Sequence, residues 1–151
     1  MTKDEERVVI AKDALAWIEA GALEPYSSVY VAPTRRLRPE DNGKELRDVV
    51  LGECRVCALG AMFIAKAVRF DECKVDGVMT FFGQNVRGHL SQYFEREQLG
   101  FIEAAFERCG SFASTGDPST AVAFGRKHRT DRARLIAILR NIIANNGTFC
   151  P

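Results

Sequence analysis

Cys54 and Cys57 frame the run Cys54-Arg55-Val56-Cys57-Ala58-Leu59-Gly60-Ala61-Met62, with the Cys-x-x-Cys spacing of redox dithiols and of half a zinc site. A zinc centre would draw its ligands from Cys54, Cys57, Cys73, Cys109, Cys150, His89 and His128. No second Cys-x-x-Cys or His-x-His follows, so no metal is expected. A redox dithiol is not expected either, because no strand of a βαβ unit is evident before the pair. Nucleophilic catalysis would use Cys57 at a helix N-terminus, where the dipole favours a thiolate, with His89 or His128 as base. Against these stands a packing role: Cys57 shares a helical face with Gly60, Ala61, Ile64 and Val68, where a free thiol behaves as a small buried hydrophobe. The expectation is therefore no catalytic residue and no cofactor; Cys57 with His89 is the pair an enzyme would use.

Other catalytic patterns are missing. Gly43-Lys44 lacks the upstream glycine of a phosphate loop, and no Gly-x-Ser-x-Gly or His-Glu-x-x-His occurs. Asp76-Gly77 superficially suggests a calcium loop, but placing Gly77 at the turn puts Lys74 and Gly83 at ligand positions.

The cations are more suggestive. Arg126, Lys127, Arg129, Arg132, Arg134 and Arg140 cluster with His128 against a single acid, Asp131. Several fall at the start of the last helix, the end that prefers anions, so backbone N–H groups and guanidiniums together offer an anion site. Arg35, Arg36 and Arg38 form a second group on a proline-bounded loop. The competing expectation is that Glu95, Glu97, Glu103 and Glu107 neutralise the cluster across a helix interface.

Behind these residues lies a chain of 151 residues with 46% hydrophobic and 27% charged composition, ordinary for one globular domain over 1–151. Net charge is +1, so any electrostatic function must come from local clustering. The charged start, Met1 to Arg7, has no apolar core of a leader, and no apolar run is long enough for a bilayer; a cytoplasmic protein with reduced thiols is expected.

Hydrophobic spacing predicts a mostly α, single-domain bundle of about five to six helices. Thr2 and Glu5 form a capping-box pattern that starts a helix over 3–20, stopped by Gly21. Residues 26–32 favour an extended conformation, and 78–82 could pair with them as a two-stranded ribbon. A short helix is expected over 44–51. Cys57 to Phe70 is apolar nearly all round, the pattern of a central helix, and Gly60 within it implies a close backbone crossing. Residues 85–109 are helical with a break near Gly100, and 110–119 form a loop. Thr130 caps the last helix, Gly147 ends it, and Phe149 folds back onto it. That helix is expected to pack against Cys57–Phe70.

Cys57-Ala58-Leu59-Gly60-Ala61, Ile102-Glu103-Ala104-Ala105-Phe106 and the stretch Asn141 to Phe149 resemble small phage and bacterial proteins. The resemblance covers most of the chain from residue 7 onward and brings no catalytic residues with it. It implies a phage-type accessory protein that binds a host factor. The combined expectation is a non-enzymatic protein whose basic surface engages an acidic partner: nucleic acid, a phosphorylated ligand or an acidic host-protein face, with no membrane. A homo-oligomer joined through the Phe-rich segments 81–82, 94–106 and 149 is a further expectation.

Overall fold

A computed structural model describes residues 1–33, 38–41, 43–45, 48, 54–70, 86–113 and 115–151. Helix α1 (Lys3–Glu19) starts at the expected capping box: Glu5 N–H donates to Thr2 Oγ at 3.2 Å, and Thr2 N–H to Glu5 Oε2 at 2.7 Å. Gly21, at φ 75, turns the chain into strand β1 (Glu24–Pro25). Strand β2 (Val31–Pro33) follows, and β3 (Cys54–Val56) lies between the two, parallel to β1 and antiparallel to β2. The extended stretch expected over 26–32 is thus strand only from Val31. Its expected partner 78–82 lies outside the described residues, as does most of the expected helix 44–51.

Helix α2 (Ala58–Phe70) runs through the middle of the molecule. Every residue from Ala58 to Ala67 is buried, because no face of the segment is polar enough to prefer water. It packs on α1, on the short α3 (Val86–Leu90) and on α4 (Arg96–Glu107). Arg69, at its exposed end, clasps Asp13 of α1 through two bonds of 2.7 and 2.8 Å.

The break expected near Gly100 falls earlier, between Leu90 and Arg96, where Ser91 to Glu95 form the turn. Gly100 lies inside α4 instead, and an added Cβ there would stand 3.2 Å from the Ala113 Cα. Helix α5 (Ser119–Arg126) was not anticipated. Its Gly125 presses directly on the Ala105 carbonyl of α4, a contact no side chain could share.

Helix α6 (Asp131–Ala144) begins at Thr130, whose hydroxyl accepts from Ala133 N–H at 3.1 Å. Gly147, at φ 88, follows its end. α6 packs chiefly on α1 and α4 rather than on α2, so the expected pairing with the central helix is corrected. Phe149 is buried and meets the Phe124 ring edge-on at 5.4 Å, while its N–H and carbonyl both bond to the Gln98 side chain. Phe94 and Phe106 are buried too, which removes them and Phe149 from any exposed aromatic patch. No helix among the described residues is long and apolar enough to cross a membrane.

Candidate functional site

Cys57 joins β3 to α2. Its N–H donates to the Val29 and Tyr30 carbonyls at 3.0 and 3.2 Å, and its sulfur accepts from Gly60 N–H at 3.4 Å. Gly60 sits directly under the Tyr30 carbonyl, where an added methyl would collide with that oxygen. The close crossing expected at Gly60 is therefore present, against a turn rather than a second helix. Strand β3 starts at Cys54 itself and so runs between the two cysteines rather than before the pair. The two thiols diverge: Cys54 lines a recess with Ile18, Leu23 and Arg132, whereas Cys57 lines another with Tyr30, Glu103 and Glu107. No cluster of three or more metal-ligating side chains occurs among the described residues.

Burial pushes both thiols up to about 12, and for Cys57 the nearby Glu103 and Glu107 push the same way. The helix dipole does not overcome this, so Cys57 is a neutral thiol at physiological pH. Neither histidine lines its recess. His89 packs on the Phe63 ring at 5.3 Å, and His128 on Phe124 at 5.4 Å.

The cation cluster divides in two. Arg126, Lys127, Arg129 and Arg132 are exposed, and none pairs with a carboxylate among the described residues. Arg140 is exposed and holds Glu19 of α1 at 2.8 Å. Arg132, Arg140 and His128 rim an open recess of about 630 Å³ floored by Ala133, Ile136 and Ala137. The acids expected to neutralise this band do not reach it: Glu103 binds Arg87, and Glu107 accepts from Ser28 N–H at 2.9 and 3.0 Å. Arg35 and Arg36 lie outside the described residues. Arg38 is exposed, its N–H donating to Asp41 Oδ2 at 2.9 Å.

Arg134 does not belong to this surface, because its side chain is completely buried. It is the i−4 neighbour of Ile138, which puts it on the inward face. The guanidinium donates to the Phe106 carbonyl at the end of α4 and to the Gly125 carbonyl near the end of α5, both at 3.2 Å. It also reaches the Arg129 carbonyl at 3.3 Å and Asp131 Oδ1 at 2.8 Å. One buried cation thus bonds carbonyls at two helix ends, that of Gly125 sharing it with the His128 N–H at 3.1 Å.

Asp131 carries the network outward by accepting from Ser27 N–H and Oγ, both at 2.9 Å. Burial works against its charge, but the bonds from Arg134 and Ser27 prevail and hold its pKa below the ordinary value. The start of α6 is therefore occupied by the protein's own Thr130 and Asp131, so an external anion would meet side chains rather than the helix N-terminus. Sequence reasoning overlooked the Cys57 recess, whose walls come from segments far apart in the chain. The one local signal was Glu103 and Glu107, one helical turn apart and thus on one face of α4. No family model, no curated protein and no solved structure matches this chain significantly.

Proposed function

We propose that this chain is a non-enzymatic binding protein that engages an acidic partner, a host-protein face or nucleic acid, through the band Arg126, Lys127, Arg129 and Arg132. The observation that supports this is the exposure of those four cations with no carboxylate partner among the described residues. Placing like charges this close with no counter-charge is unfavourable for folding alone, and an anionic partner relieves it. Arg140 and His128 extend the band along the recess beside Glu19. A phage-type accessory protein acting on a host factor is the setting this function fits.

The test is fluorescence anisotropy with three labelled probes, a 20-base-pair duplex, a single-stranded RNA of equal length and poly-glutamate, at low and moderate salt. At least one should bind with an affinity that falls steeply as salt rises. Replacing the four cations with Glu should abolish that binding and leave the melting temperature unchanged. Binding indifferent to salt, or to the charge reversal, would remove the proposal.

A further inference from the structure

The recess beneath Tyr30 is built from four separate parts of the chain. Ser28, Val29 and Tyr30 come from the turn before β2, Cys57 from the start of α2, Glu103 and Glu107 from α4, and Phe112 from the 3-10 turn Gly110–Phe112. Its volume is about 210 Å³. At roughly 30 Å³ per water-sized group, that is room for about seven heavy atoms.

The charges around it do not balance. Glu103, almost fully buried, is matched by Arg87 through bonds of 2.9 and 2.5 Å, and Asp131 by Arg134. Among the described residues Glu107 has no ion pair; Ser28 N–H is its hydrogen-bond donor, and the Arg134 charge acts on it only from a distance. Burial raises its pKa above the ordinary value, and Glu103 and Asp131 add to the effect, outweighing the Ser28 N–H and the Arg134 charge that pull the other way. The Tyr30 hydroxyl, in reach of Glu103, is pushed up to about 12 by burial and that contact, and the Cys57 thiol is neutral. Among the described residues, Glu107 is therefore the carboxylate of this recess with no cation in direct contact.

The rings at its mouth are independent of that charge. Met1, Tyr26, Tyr30 and Phe112 are the exposed large hydrophobic residues among those described, and Tyr30 and Phe112 both line this recess. Aromatic faces attract cations, and more strongly where water is displaced. A metal ion would not suit the site, since no three ligating side chains converge anywhere among the described residues.

We infer that this recess binds a small organic ammonium, with the cationic head against Glu107 and an apolar body between Tyr30 and Phe112. The head could belong to a free amine or to a lysine side chain. The ¹⁵N-labelled protein is titrated with benzylamine, with Nα-acetyl-lysine methylamide, and with benzyl alcohol as the uncharged isostere of the first. The expected result is saturable shifts of the Ser28, Val29, Tyr30 and Cys57 amides with one or both ammonium probes; which of them saturates tells a free amine from a side chain. Benzyl alcohol should bind at least ten-fold more weakly than benzylamine. E107Q, which keeps an acceptor for Ser28, should weaken binding at least ten-fold. F112A, at an exposed position, should weaken it about three-fold or more with the fold intact. No saturable shift with either ammonium, equal binding of the alcohol, or undiminished binding in F112A would overturn the inference.

Discussion

Arg132 and Arg134 stand two residues apart on α6, one in water and one completely buried. The outer arginine meets no carboxylate among the described residues, whereas the inner one serves three backbone carbonyls and Asp131. The same residue type thus supplies an exposed positive charge on one side of a helix and a structural bolt on the other. A charge count along the sequence merges the two. Helical phase separates them.

The comparison breaks most visibly under truncation. Arg134→Met strands Asp131 and uncaps α4 and α5, and should cost about 3–5 kcal/mol by chemical denaturation. Arg132→Met should change stability by less than about 0.5 kcal/mol. Equal effects would mean that the two faces are not distinct.

Next in size is the crossing that holds the inner face together. Gly125→Ala drives a methyl into the Ala105 carbonyl and should cost about 3 kcal/mol, near the upper end for overpacking. Gly21→Ala, at a left-handed turn with open space around it, should cost only about 1–2 kcal/mol.

Acid sharpens the contrast further. Asp131 has a depressed pKa, so its contribution is fully present above its unfolded value and lost as pH falls through the lower folded value. Glu107 has the opposite sign: its raised pKa makes the folded state more stable below the unfolded value, an advantage lost as pH rises through the folded one. D131N should therefore flatten the acid limb of a melting-temperature-against-pH curve, and E107Q should hold or raise stability at pH 7. The reverse pattern would contradict the assigned partners.

The mildest probe is thiol labelling followed by mass spectrometry. Cys109 is exposed, and its pKa is lowered by hydrogen bonding with Ser111, so it should react quickly in the native state, as should the exposed Cys150. Cys54 and Cys57 should react only in denaturant. Rapid native labelling of Cys57 would instead mark it as an accessible nucleophile.

What sequence alone disclosed was local. The capping box at Thr2 and Glu5, the cap at Thr130, the stop at Gly147 and the all-round burial of α2 each depend on neighbours within a turn or two. Helix α5 escaped because Thr120, Val122 and Gly125 are weak helix formers, and the helix is held mainly by contact with α4. Its only local cue was Asp117 before Pro118 and Ser119; the Asp117 side chain accepts from Ser119 N–H at 3.0 Å. The break before α4 was misplaced because Tyr93 and Phe94 continue the apolar pattern through the turn. The ammonium recess had almost no sequence signature. Ser28 and Glu107 are 79 positions apart and meet only in the folded chain.

The buried guanidinium also imposes an order on folding. Helices α4 and α5 are synthesised before the side chain that closes their ends. Without that side chain the Phe106 carbonyl loses its guanidinium donor, and the Gly125 carbonyl keeps the His128 N–H at 3.1 Å. A released chain truncated after residue 130 should therefore be cut readily by protease between the two helices, and the full chain of 151 residues should resist.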